Sequence, residues 1–235
     1  VTQVAADRAA EVGAGLAAVH ARIARAASAA GRGADEVTLV VVTKTWPASD
    51  VRLLAAAGVR EVGENRDQEA SEKAAACADL DLVWHFVGRL QTNKAASVAG
   101  YADVVHSVDR VRLVSALGAG AARAGRRLKV LVQVSLDGDT QRGGAVLADV
   151  PGIADATAAT DGLELAGLMA VAPLGVDPGA SFAVLAEQSA RLRADHPGAT
   201  WISAGMSGDL EAAVEHGATH VRVGSAILGG RPPLG

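Results

Sequence analysis

Lys44 closes the apolar run VTLVVVT at residues 37–43 and is followed by Thr45, Trp46 and Pro47. A lysine is an unusual end for a buried strand. It is either a salt-bridged or surface ammonium, or an amine held at the mouth of a pocket, where it could form an imine with an aldehyde. Two glycine–serine segments carry complementary chemistry: SAGMSGD at 203–209 and RVGSA at 222–226. Glycine lets backbone N–H groups approach a ligand, serine adds a hydroxyl, and a following helix start offers unpaired donors, a combination that suits a phosphate. The plainer account makes Ser207 a helix N-cap, Asp209 and Glu211 first-turn acids, and Gly224 an ordinary turn. Arg222 stands two residues before Gly224. It either points inward and meets the ring of a ligand, or pairs with a carboxylate such as Glu64.

The elements that must position these residues alternate along the chain. Apolar, β-branched runs fall at 37–43, 60–63, 82–87, 103–106, 128–135, 162–168, 200–203 and 219–223. Ala- and Leu-rich stretches of helical character lie between them, at 48–58, 65–76, 91–99, 109–124, 146–159, 178–195 and 207–216. Continuous rather than alternating apolar runs suit strands covered on both faces. Strict alternation predicts an α/β protein, and eight strands predict closure into a single (β/α)8 TIM-type barrel. The other architecture open to this pattern is a doubly wound open sheet. A helix over about 5–30 precedes the first strand, with Val12, Leu16, Val19 and Ile23 on one face. Arg22, Arg25 and Arg32 give its C-terminal part a basic character suited to the helix dipole.

Active sites of such barrels gather at the C-terminal strand ends, with phosphate bound after strands seven and eight. Lys44, Asn65, His85, His106, Met206, Ser207, Gly224 and Ser225 all fall at or near those ends, whereas the strand starts carry less obvious chemistry. Closure brings strand one beside strand eight, so Lys44 would neighbour the phosphate loops. A phosphorylated aldehyde held there could form an imine with the amine, and pyridoxal 5′-phosphate is the common cofactor of that kind. His85 and His106 read as hydrogen-bonded parts of the pocket wall, because no His, Cys and carboxylate set has metal-ligand spacing. Cys77 reads as a small hydrophobe or surface thiol. Neither a GxGxxG after a strand nor a GxxxxGK[ST] occurs, and GAGAARAG at 118–125 lies within a predicted helix.

The totals agree with a single domain over 1–235. Half the residues are hydrophobic and only 3% are aromatic, so the core must be Ala, Val, Leu and Ile. A net charge of −4 gives no reason to expect a nucleic-acid partner. One cysteine permits no intrachain disulfide and suits a reducing, cytoplasmic setting. No apolar run approaches the roughly 20 residues that span a bilayer.

Taken together, these segments resemble the pyridoxal phosphate homeostasis proteins, a family that shares the barrel of alanine racemase. The matching pieces are VVTKTWP with Lys44, VGENRDQEASEK at 62–73, WHFVGRLQTNK at 84–94, HSVDR at 106–110, GLMAVAP at 167–173 and AGMSGDLEAAVEHGATHVRVGSAILGGR at 204–231. They run in the family's order over nearly the whole chain. The resemblance implies pyridoxal 5′-phosphate held as an internal imine on Lys44. The phosphate would lie on Met206, Ser207, Gly224 and Ser225, with Asn65 nearby and Arg222 facing the pyridine nitrogen. An arginine there keeps the nitrogen unprotonated and weakens the ring as an electron sink. It further implies vitamin B6 homeostasis without robust turnover, no catalytic residue and no metal. A monomer is expected, with apo pyridoxal phosphate enzymes as candidate recipients. One departure stands out: where the family often has a lysine after strand five, this chain has Arg142 in GDTQRGG. Arginine forms no imine at ordinary pH, which puts a second lysine's part in passing the cofactor in doubt.

The alternative is a pyridoxal phosphate enzyme such as an amino-acid racemase. A two-base racemase of the alanine type needs a tyrosine opposite the lysine, supplied by a second β-rich domain. The one tyrosine, Tyr101, precedes strand four and is expected at the N-terminal end of the barrel, and the sequence ends at Gly235. Both favour the carrier. The family match also argues against an aldolase using Lys44.

Overall fold

Apolar strands without alternation need cover on both faces, and this chain provides it by curling the strands into a cylinder and laying helices outside. The computed structural model describes residues 2–230; Val1 and residues 231–235, including the Arg231 that ends the last family segment, lie outside the described residues. Helix α1 (Thr2–Ala29) is followed by β1 (Thr38–Val42), α2 (Ala48–Ala56), β2 (Glu61–Glu64), α3 (Asp67–Ala76), β3 (Val83–Phe86), α4 (Ala95–Tyr101) and β4 (Val104–Val108). Then come α5 (Val111–Ala124), β5 (Leu128–Val134), α6 (Val150–Ala158), β6 (Leu163–Ala170), α7 (Pro178–Asp195), β7 (Trp201–Ser203), α8 (Leu210–Glu215), β8 (His220–Val223) and α9 (Ser225–Leu228). The strands close in the order β1 to β8, and β8 pairs in parallel with β1, Val40 opposite Arg222 and Val41 opposite Val223. This is the expected (β/α)8 barrel with an additional N-terminal helix.

Side chains alternate across the barrel wall. On β8, Val221 and Val223 join the outer apolar cluster that includes Val12, Leu16, Val19 and Ile23 of α1. His220 and Arg222 take the opposite, inner face. Val104, Leu131, Ala166 and Met169 form a separate apolar cluster. Each buried α1 side chain contributes about 1.5–3 kcal/mol. Gly15 lets α1 approach α9 closely: a Cβ there would stand 2.6 Å from the Ile227 carbonyl oxygen.

Two of the arginines expected to suit the helix dipole, Arg22 and Arg32, act instead through directed partners. Arg22 makes two hydrogen bonds to Glu211, at 2.6 and 2.8 Å. Arg32 lies beyond the end of α1 and donates to the carbonyls of Val214 and Ala218, both at 2.9 Å. A directed hydrogen bond outweighs a dipole field that fades within a turn. Element ends also differ from expectation. β4 runs on to Val108 and β6 to Ala170, while residues 92–94 form a 3-10 turn that delays α4 to Ala95. Among the described residues, no helix is long and apolar enough to cross a membrane.

Candidate functional site

Strand β1 ends at Val42, and Thr43 still hydrogen-bonds to the Gly63 carbonyl at 2.9 Å, so Lys44 leaves the wall at the C-terminal rim. The backbone on either side of it is clamped. The buried Lys73 ammonium donates to the Thr43 carbonyl at 2.8 Å, to Glu64 Oε1 at 2.7 Å and to Glu69 Oε1 at 2.6 Å. Glu64 Oε1 also accepts from the Thr43 hydroxyl at 2.6 Å, and Glu69 Oε1 from the Thr45 N–H. Thr45 sits at φ 70°, the one non-glycine residue with positive φ among those described. That conformation costs roughly 1–2 kcal/mol for an L-residue and persists only where its surroundings hold it. Burial pushes the Glu64 carboxyl above its ordinary value, against the pull of Lys73. Its second oxygen, Oε2, is buried with no hydrogen-bond partner.

Lys44 itself is exposed and, among the described residues, makes neither an ion pair nor a hydrogen bond. The salt-bridged alternative therefore does not hold. Lys44, Asn65, Met206, Ser207, Arg222, Gly224 and Ser225 all line one open cavity of ≈ 390 Å³, together with Val42, Val87, Gly88, Val171 and Gly208. The sequence reading missed the apolar part of that lining, since a valine at a strand end carries no chemical signal.

The two glycine–serine loops meet across the cavity: the Ser225 hydroxyl donates to Ser207 Oγ at 3.2 Å. Gly224 packs on β1, and a Cβ at this position would stand 2.7 Å from the Val42 carbonyl oxygen. Ser207 is not a helix N-cap. Helix α8 begins only at Leu210 with Asp209 at its N-cap, and Asp209 Oδ1 accepts from the Met206 N–H at 2.6 Å. The turn over 207–209 leaves the Ser207 hydroxyl to the cavity side.

Arg222 is buried, and burial pushes its guanidinium down to about 10. It donates to Ser203 Oγ at 2.6 Å and to the Ala170 carbonyl at 2.9 Å. The expected alternative, a pair with Glu64, is overturned because Glu64 is taken by Lys73. His85 and His106 are not in the cavity wall. They are buried beneath it, hydrogen-bonded to each other at 2.7 Å. Tyr101 ends α4, packs against the apolar clusters outside the strands and does not line the cavity. Cys77 is buried, its thiol 3.8 Å from the Ala48 carbonyl. Arg142 is held by Asp137 and Asp139 beside a small cavity of ≈ 110 Å³ that shares Val171 with the main one.

A family model described as alanine racemase, N-terminal domain, matches residues 15–232. The pyridoxal phosphate homeostasis protein of Mycobacterium tuberculosis is 49% identical, over 96% of this chain and 95% of its own length. Among solved structures, PipY of Synechococcus elongatus with pyridoxal phosphate bound superposes with a TM-score of 0.77 at 39% identity, covering 83% of this chain and 93% of that one. Alanine racemase from Corynebacterium glutamicum superposes at 0.66 with 16% identity, over 94% of this chain and 62% of the racemase, a likeness of fold alone.

Proposed function

The chain belongs to the alanine racemase N-terminal domain family, and within it to the pyridoxal phosphate homeostasis proteins; from that premise we propose that it holds pyridoxal 5′-phosphate as a Schiff base on Lys44 and serves as a carrier in vitamin B6 homeostasis. The observation that carries this reading is the meeting in one cavity of an unpaired lysine, a pair of serine hydroxyls on glycine loops and a buried arginine. Each fits one part of the cofactor. Lys44 would hold the aldehyde carbon. Ser207, Ser225 and the backbone N–H groups of the two loops would hold the phosphate, with Asn65 at the edge. Arg222 would present its guanidinium to the ring nitrogen and keep it unprotonated. When bound, the cofactor supplies an electrophilic carbon and an electron-withdrawing ring.

The carrier half rests on what the cavity lacks. Among the described residues lining it, Lys44 and Arg222 are the only titratable side chains. Abstracting and returning a proton on opposite faces of a substrate requires two bases. Among the described residues the wall presents no base opposite the lysine, and Tyr101 lies elsewhere. Incubating the loaded protein with a panel of amino acids is expected to give no rapid racemisation of any of them; rapid turnover of one would overturn the carrier reading.

The phosphate assignment has its own test. Replacing Ser207 and Ser225 together by alanine is expected to weaken cofactor retention by about ten- to a hundredfold per hydroxyl, each hydrogen bond to a charged group being worth roughly 1.5–3 kcal/mol. Equilibrium titration of apo-protein by absorbance measures this, and unchanged affinity removes the serines from the site.

A further inference from the structure

Below the cavity, a file of buried polar groups runs down the inside of the barrel to its other end. Arg222 Nη1 lies 2.6 Å from Ser203 Oγ; Ser203 Oγ lies 2.9 Å from His106 Nδ1; His106 Nε2 lies 2.7 Å from His85 Nδ1; and His85 Nε2 lies 2.5 Å from Glu61 Oε2. The His106–Ser203 contact joins β4 to β7, which are not neighbours in the closed order, so it crosses the barrel interior. Glu61 opens β2 and is half-buried at the N-terminal mouth, a cavity of ≈ 460 Å³ it shares with Asp103, Arg127, Lys129, Glu164 and His220.

Counting hydrogens gives the file a direction. Arginine only donates, so Ser203 Oγ accepts from Arg222. The serine's own hydrogen then goes to His106 Nδ1, its only other partner. His106 must carry its proton on Nε2 and donate to His85 Nδ1. His85 in turn carries its proton on Nε2 and donates to the Glu61 carboxylate. Every hydrogen has an acceptor, and none of these side chains is left buried without a partner. The reverse polarity requires either a doubly protonated His85 or a protonated Glu61, and in both cases leaves the buried Ser203 hydroxyl hydrogen without an acceptor, which costs the desolvation of that group. Burial, reinforced by the neighbouring His85 and Arg222, also pushes His106 well below the ordinary imidazole value. His220, facing the file from β8, is pushed down to about 3 by burial and adds no cation.

We infer that Glu61, at the end of the barrel opposite the cavity, is a positioning residue for Arg222, acting through a one-directional hydrogen-bond chain over His85, His106 and Ser203. Among the described residues no carboxylate contacts Arg222; the carboxyl group that terminates its hydrogen-bond chain is that of Glu61. Chains of this kind polarise along their length in a low-dielectric interior. The chain exists in the protein alone; its consequence for the bound ring rests on the function proposed above.

The test has two arms. In the apo-protein, side-chain 15N spectra at neutral pH are expected to show His85 and His106 both neutral and protonated on Nε2. Glu61→Leu removes the terminal acceptor, leaves the His85 Nε2 hydrogen without a partner and should shift the ring-nitrogen signals of His85 and, through the His106–His85 hydrogen bond, of His106, while Glu61→Gln, which keeps an acceptor oxygen, should return them towards their native positions. A doubly protonated His85 in the native protein, or His106 signals unmoved by Glu61→Leu, would overturn the chain. In the loaded protein, Glu61→Leu is expected to shift the absorbance maximum of the bound cofactor and Glu61→Gln to return it. Identical spectra for all three proteins would overturn the link to the cavity. Failure of the native protein to take up pyridoxal phosphate would instead remove the cofactor reading, with the first arm still deciding the chain.

Discussion

Borohydride reduction of the protein loaded with pyridoxal 5′-phosphate is expected to fix the cofactor on Lys44, and Lys44→Ala to abolish the adduct. The sequence holds four lysines, which makes the prediction sharp. Lys73 is buried, with all three ammonium hydrogens directed at oxygens. Lys129 stands over the Trp201 ring at 4.6 Å, at the opposite mouth of the barrel. Lys94 lies in the neighbouring cavity, 3.7 Å from Asp67. Only Lys44 combines a free amine with a place in the cavity that also holds the serine pair and Arg222. Peptide mapping after reduction locates the adduct. Lys94→Ala should leave it intact, and a Lys44→Ala protein reduced to the same stoichiometry would sink the assignment.

The second large effect is expected at a residue that never touches the cofactor. Lys73→Met should lower stability by about 3–5 kcal/mol, the usual cost of stranding one partner of a buried ion pair. Glu69 is partly exposed and can turn to water, but Glu64 is buried and would keep only the Thr43 hydroxyl. Adding Glu64→Gln to Lys73→Met should recover part of the loss, because the stranded charge is then gone. Urea unfolding of the two variants measures both effects. The same lysine holds the Thr43 carbonyl and steadies Glu69, which in turn holds Thr45 in its left-handed conformation. Releasing that turn misplaces Lys44, so capture of the aldehyde should slow by roughly tenfold or more. A variant with native stability and native capture rate would show that the clamp positions nothing.

Much of this was legible before any coordinates. Lys44 after an unbroken apolar run, and glycine–serine pairs near residues 206 and 224, are local signals. So is the alternation of apolar runs with Ala- and Leu-rich stretches, since strand burial and helix amphipathicity are written at short period. Barrel closure then follows from a count, and it brings the first and last strands together. All seven residues that the family resemblance implies for the cofactor, Lys44, Asn65, Met206, Ser207, Arg222, Gly224 and Ser225, line one cavity.

The parts that escaped depend on which side chains meet. By sequence Glu64 is available as a partner for Arg222, yet Lys73 reaches it from the next helix, nine residues along, and takes it. The Glu69–Lys73 spacing of four residues was the available signal, but such pairs are common on exposed helix faces and seldom mark a buried clamp. The N-cap alternative for Ser207 fails because Asp209 takes that position. His85 and His106 lie beneath the cavity and not in its wall, and Glu61, at a strand start, carries no local signal of its contact with His85. The His106–Ser203 contact joins strands distant around the ring, and the His85 contacts to Glu61 and His106 depend on the register of neighbouring strands, so no spacing along the chain encodes them. Thus the sequence by itself determined the barrel, the rim residues and the likeness to a cofactor-binding family, because these follow from local periodicity and strand order. The tertiary structure decided that Lys44 stands free, that its backbone is held by Lys73, and that Arg222 is tethered through the barrel to Glu61. Those outcomes depend on competition among buried polar groups for a limited set of partners, and only packing settles which pairs form.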